Sequence, residues 1–203
     1  ARTAAPYLKP VLLELGGKAP MIVLDDADLD AAVDAAAFGA FMNQGQICMS
    51  TERVIIDEKI ADEFAAKLAK RVAGLPSGDP RKGDVVLGSV VGQPTVDRVS
   101  KLVKDAVAKG AKVLAGGESH GTIMKGIVVD RVTPDMELFR EESFGPQVSI
   151  TRAKSTEEAI RLANDTEYGL SAALHTRDSA KGILLARQIE TGICHINGPT
   201  VAD

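Results

Sequence analysis

The chain has 203 residues, enough for one large domain or two small ones, and 45% of them are hydrophobic, so a sizeable core is feasible. Only 3% are aromatic and none is Trp, which leaves the packing to Val, Ile, Leu and Ala. A net charge of −4 offers no basic patch to follow phosphates, which argues against a nucleic-acid partner, and no apolar run approaches the roughly 18–20 residues of a membrane span.

Read in order, residues 1–9 pattern as a helix tail stopped by Pro10, and residues 11–15 as a buried strand interrupted by Glu14 and broken at Gly16-Gly17. Residues 20–24 form the next apolar strand. Asp26 or Asp28 then caps a helix whose apolar positions Leu29, Val33, Ala36, Ala37, Ala40 and Phe41 fall at helical spacing up to a break at Gly45. Residues 53–56 read as a strand, Asp57 as a cap, and 60–72 as an amphipathic helix with Phe64 and Leu68 on one face. A loop rich in Gly, Pro and Asp covers 75–88, and a helix follows over 96–109 and ends at Gly110. Strands are expected at 112–115 and 126–132 on either side of a flexible loop, 116–121, and again at 147–151. Ser155 with Glu158 makes a capping box for a helix to Asn164, after which come a strand at 170–175, a helix at 179–188 and a last strand at 192–196. Strand and helix alternating along the whole length imply an α/β fold, a layered domain with a mostly parallel sheet flanked by helices. Neither Gly-x-Gly-x-x-Gly nor a P-loop is present, so the phosphates of any cofactor need another domain.

The residue that most needs explaining is Cys48, which follows the helix break in Asn43-Gln44-Gly45-Gln46-Ile47-Cys48. Gly45 can take backbone angles closed to other residues, and the polar residues around it suit a turn that lifts a thiol from a helix end. A lone cysteine is equally a small core hydrophobe, and both readings stand on this pattern alone. Cys48 and Cys194 match no metal-ligand spacing, which gives no metal and reduced thiols in a cytoplasmic protein. A Cys-His hydrolase would need His120, His175 or His195 beside Cys48, and nothing around those residues favours it.

Five stretches resemble one family. Leu13-Glu14-Leu15-Gly16-Gly17-Lys18-Ala19-Pro20 resembles the glutamate motif of the aldehyde dehydrogenase superfamily, and Phe41 through Cys48 resembles its cysteine motif. Glu142-Ser143-Phe144-Gly145-Pro146, Asn164-Asp165-Thr166-Glu167-Tyr168-Gly169-Leu170-Ser171 and Gly192-Ile193-Cys194-His195-Ile196-Asn197 continue the likeness in the same order. The wording around Cys48 and His195 is similar to members acting on aromatic aldehydes such as salicylaldehyde, vanillin or benzaldehyde.

The resemblance implies a fold, a reaction and a set of roles. Cys48 matches the nucleophile that adds to the aldehyde and passes through a thioester, and Glu14 the base that activates water to hydrolyse it. A raised pKa suits that base, and an apolar strand around Glu14 would supply it. Glu142 matches the carboxylate that accepts from the nicotinamide ribose hydroxyls, Phe144 the aromatic beside the ring, and Ile47 and Met49 would line an apolar slot for the substrate. The implied cofactor is NAD or NADP, with NAD favoured. The implied partners are a small-molecule aldehyde and further copies of the parent protein, a dimer or tetramer. Residues 1–13 would then be the tail of a preceding nucleotide-binding domain and 14–203 the catalytic domain without its closing segment, as expected of a piece of a longer polypeptide that opens without Met. The family's glycine-rich turn and its oxyanion-hole asparagine are absent, and Ser50 stands where a smaller or amide residue is usual. A non-catalytic family fragment kept for binding or assembly is therefore the rival reading.

Overall fold

Alternation of apolar side chains to two faces decides the architecture. In the computed structural model, which describes residues 1–201, β1 (Pro20–Val23) sends Met21 and Val23 to one face and Ile22 to the other, and β2 (Arg53–Asp57) splits Val54 and Ile56 from Ile55 in the same way. Strands buried on both faces read as continuous apolar runs, and that pattern belongs to a parallel sheet covered by helices. Seven strands form it in the order β3 (Lys112–Ala115), β6 (Ile127–Asp130), β7 (Gln147–Ala153), β2, β1, β8 (Ser171–His175), β9 (Ile193–Ile196). Within this sheet only β3 runs antiparallel to its neighbour, β6.

One face is covered by α1 (Leu29–Phe41) and α2 (Ala61–Ala73), which bury Ala36, Ala40, Phe41, Phe64 and Leu68. The other carries α3 (Gln93–Ala108) and α5 (Thr156–Asn164), with Val99, Leu102, Ala159 and Leu162 inward, and α6 (Ser179–Ala186) leans on it through Leu185. Burying an aliphatic or aromatic side chain of this size contributes about 1.5–3 kcal/mol. Of the two cap candidates, Asp28 is the one that caps α1: its carboxylate accepts from Ala31 N at 3.1 Å. Ser155 Oγ accepts from Glu158 N at 3.2 Å, while the Glu158 carboxylate reaches Lys154 N.

Four expectations fail, each for a physical reason. Residues 1–9 hold only a 3-10 turn, Ala5–Tyr7, and residues 11–15 form no strand: among the described residues no neighbouring strand offers their backbone a partner, and Leu12, Leu13 and Leu15 are 88, 53 and 70% exposed. Asp57 does not cap α2; its carboxylate closes the preceding turn onto Lys59 N, and Ile60 occupies the cap position. The expected loop 116–121 opens into a small hairpin, β4 (Ser119–His120) with β5 (Ile123–Met124). One further element carried no sequence signal: a short α4 (Glu137–Arg140) follows Pro134, and its first amide is capped by Asp105 from α3 at 2.8 Å. Among the described residues no helix is long and apolar enough to cross a membrane, and no cluster of His, Cys, Asp and Glu could hold a metal.

Candidate active site

The approach to Cys48 is unusual in its backbone. After α1 the chain makes a 3-10 turn, Met42–Gly45, in which Asn43, Gln44 and Gly45 all stand in the left-handed region at φ 49°, 59° and 68°. Asn enters that region readily, whereas a general residue such as Gln44 costs about 1–2 kcal/mol there. Local bonds offset the cost. Asn43 Nδ2 donates to Gln46 O at 3.2 Å, the Gln46 amide N–H returns to Asn43 O at 3.1 Å, and Gln46 Oε1 accepts from Val91 N at 2.8 Å. Gly45 is required twice over, because a Cβ there would lie 2.2 Å from the Gly145 carbonyl oxygen as well as carry the positive φ. The turn stops the helix and hands the chain to a second turn, Ser50 N to Ile47 O at 2.9 Å, which carries Cys48 as a half-buried free thiol.

Stretches distant in sequence meet at this turn. Gly17 lies against it so closely that a Cβ would sit 1.9 Å from the Cys48 carbonyl oxygen, and Gly17 N donates to Glu142 Oε1 at 2.8 Å. The second carboxylate oxygen of Glu142 accepts no hydrogen bond among the described residues, and the space beside it exists because Gly16 has no side chain: a Cβ would come within 2.7 Å of Oε2. From the far end of the chain, Thr200 Oγ1 donates to Met49 O at 2.6 Å and shares a 2.8 Å bond with Thr51 Oγ1. All of this gathers where the chain enters the parallel strands β1, β2 and β7, at the amino edge of the sheet. Open α/β sheets ordinarily bind ligands beyond the carboxyl ends.

Of the residues expected at a site, the fold brings Cys48 and Glu142 to the same place, with Ile47, Met49 and Phe144 half-buried beside them in sequence. Glu14 is not held there. It stands exposed in the unpaired segment before Gly16, so the apolar burial expected of it is not supplied by residues 1–201. Neither His175 nor His195 offers its Nε2 to Cys48: His175 bonds Gly198 O at 3.0 Å, and His195 Nε2 is buried without a partner among the described residues. Burial lowers the His175 pKa, so the ring is held neutral, and the same cause raises the thiol of Cys194.

A buried ionic cluster beneath the site went unread in the sequence. Lys18, Glu52 and Arg53 are 1, 4 and 0% exposed, and Lys18 Nζ pairs with Glu52 Oε2. Arg53 donates to Lys18 O at 3.1 Å and to the carbonyls of Leu162 and Ala163 at 3.1 and 2.9 Å, tying α5 to the strand edge, and its guanidinium lies 4.8 Å over the Phe139 ring. Burial pushes Arg53 down to about 10 and lowers Lys18, each against the opposing pull of neighbouring carboxylates. The available signal was position: charges that abut the apolar strands β1 and β2 directly are candidates for buried partners, but exposed charges do the same.

Comparison with known proteins adds a relationship. A model of the aldehyde dehydrogenase family matches residues 1–203. Vanillin dehydrogenase of Pseudomonas fluorescens is 56% identical over 200 residues, 98% of this chain and 42% of that enzyme. The crystal structure of a salicylaldehyde dehydrogenase from Pseudomonas putida G7 complexed with salicylaldehyde superposes with a TM-score of 0.95 at 50% identity, covering 100% of this chain and 42% of its own. An NADP-dependent glyceraldehyde-3-phosphate dehydrogenase from Bacillus halodurans C-125, complexed with NADP, gives a TM-score of 0.89 at 37% identity. The chain thus spans less than half the length of these relatives.

Proposed function

The chain belongs to the aldehyde dehydrogenase family, and from that premise we propose that it is the cysteine-bearing part of an enzyme that oxidises an aromatic aldehyde to its carboxylic acid with NAD(P)+. The observation that carries this reading is the meeting of Gly16-Gly17, Cys48 and Glu142, three motif stretches that the fold packs against one another. The Cys48 thiolate adds to the aldehyde carbon, and the resulting alkoxide is stabilised by backbone N–H groups at the turn. Glu142 and Phe144 would hold the nicotinamide ribose and ring, and that group would supply the hydride acceptor needed to bring the Cys48 adduct to the thioester level. Glu14 removes a proton from water as the water attacks the thioester, and Cys48 leaves as thiolate with release of the acid. Glu142 and the space beside its free Oε2 fit a vicinal diol, which supports its role toward the ribose hydroxyls, with Phe144 beside the ring. Ile47 and Met49 line the slot for the aldehyde's ring. NAD+ is the favoured cofactor over NADP+.

Residues 1–13 belong to a preceding nucleotide-binding domain and 14–203 to the catalytic domain. Continuous burial begins only at Gly17, and the exposed apolar strip Leu12, Leu13 and Leu15 is what a covering domain would bury, bringing Glu14 against Cys48. The 203-residue chain alone therefore has no dehydrogenase activity, and the parent acts in the cytoplasm as a dimer or tetramer. The test is NADH formation with salicylaldehyde, vanillin or benzaldehyde. The full-length polypeptide turns these over and its Cys48→Ala variant does not; turnover by the isolated chain above its own Cys48→Ala control would overturn the division of labour.

A further inference from the structure

The loop carrying Glu142 and Phe144 does not hold its shape unaided. Phe144 stands at φ +46°, in the left-handed region that a bulky aromatic avoids. What secures it is a single buried carboxylate. Ser143 N donates to Glu52 Oε1 at 2.9 Å and to Oε2 at 3.0 Å, and Phe144 N donates to Oε1 at 3.0 Å. Successive amides converging on one anion form the concavity found at anion-binding turns, and here the anion is a side chain of the same protein. Lys18 and, at 3.3 Å, Gln147 Nε2 complete the shell around Glu52, and Gln147 Nε2 also donates to Ser143 Oγ at 2.9 Å. Glu52 lies four residues beyond Cys48, and Lys18 follows the glycine whose amide holds Glu142, so one carboxylate links all three motif stretches.

We propose that Glu52 is a positioning residue: paired with Lys18, it folds the Ser143-Phe144 turn into the shape that presents Glu142 and Phe144 to the nicotinamide ribose and ring. This rests on the function proposed above; Glu52 is only 4% exposed and its carboxylate is taken up by protein donors, so it acts through the turn it shapes. Both the charge and the length of the side chain matter. A Gln brings one oxygen and a donor NH2 into a shell made wholly of donors, and leaves Lys18 buried and unpaired. An Asp keeps the charge but, one methylene shorter, falls short of the amides.

The test uses the full-length polypeptide containing this chain, with Glu52→Gln and with the double variant Lys18→Met/Glu52→Gln, which removes the ammonium with its partner so that folding is not lost to a bare buried charge. Four quantities are read: hydrogen exchange of the peptide spanning Ser143 and Phe144, the dissociation constants of NAD+ and NADP+ without aldehyde, the aldehyde KM, and the rate of Cys48 alkylation by iodoacetamide. Losing charge-assisted bonds to two amides should speed exchange about tenfold or more and weaken the preferred cofactor by about tenfold. Aldehyde KM and the rate of Cys48 alkylation by iodoacetamide should stay within about twofold, the split expected of a positioning role. Unchanged exchange or unchanged cofactor affinity in the double variant overturns the proposal, as does a parallel loss of all four quantities, which marks a merely structural role. If the unsubstituted protein binds neither dinucleotide, the functional reading fails separately; the exchange of residues 143–144 then decides alone whether Glu52 shapes the turn.

Discussion

A methyl group on Gly17 should disable the site while leaving the fold standing. The added Cβ would lie 1.9 Å from the Cys48 carbonyl oxygen and 3.0 Å from the carbonyl carbon, both backbone atoms, so no side-chain rotation relieves the overlap. Ordinary contact begins at 3.4 Å, so the two segments must part by about 1.5 Å. The 2.8 Å bond from Gly17 N to Glu142 Oε1 is stretched by the same movement. Misplacing reacting groups by about 1 Å costs on the order of a hundredfold in rate, because the near-attack geometry is lost. Overpacking of this kind costs only about 1–3 kcal/mol of stability, and Gly17 has no left-handed φ to forbid alanine. In the full-length enzyme we therefore expect Gly17→Ala to lose about a hundredfold or more in kcat/KM while still unfolding cooperatively. Steady-state kinetics with an aromatic aldehyde, run beside thermal unfolding, measures both. Gly182→Ala is the control, since its Cβ would press at 3.0 Å on a Thr176 methyl far along the sheet and should affect stability alone. A folded Gly17→Ala enzyme within about twofold of the parent would refute the claim that this glycine sets the position of Cys48.

Two further outcomes follow from the site and its surroundings. In the full-length enzyme Glu14→Gln should keep a pre-steady-state burst of NADH and lose steady-state turnover, because only hydrolysis needs the base; equal loss of burst and turnover would remove Glu14 from that role. His175 is held neutral by burial with its folded pKa below the ordinary 6.5, so the unfolded chain takes up the proton first, and stability complete above about pH 6.5 should fall as the pH drops toward the folded value. Denaturant unfolding at pH 7 and pH 5 should show this loss in the parent and a smaller one in His175→Gln; equal losses would place the titration elsewhere.

Much of the fold was legible because its signals are local. The two-residue alternation in β1 and β2, the helical spacing from Leu29 to Phe41, and the caps at Asp28 and Ser155 depend on neighbours a few residues away, and they appear where their patterns put them. The family motifs were legible for the same reason, each being a contiguous string. The hairpin of β4 with β5 and the single turn of α4 are too short to carry a period, and α4 is capped by Asp105 from another helix. Residues 11–15 mark the opposite limit: Leu12, Leu13 and Leu15 spell a strand, but a strand exists only beside a partner, and none of the described residues provides one. Tertiary structure alone decided that Gly17 meets both Cys48 and Glu142, since the last bonds Gly17 across 125 positions. It also decided that Lys18 and Glu52 are a buried pair and not two surface charges, because burial is a property of what the rest of the chain lays over a residue and is written in no residue's own neighbourhood.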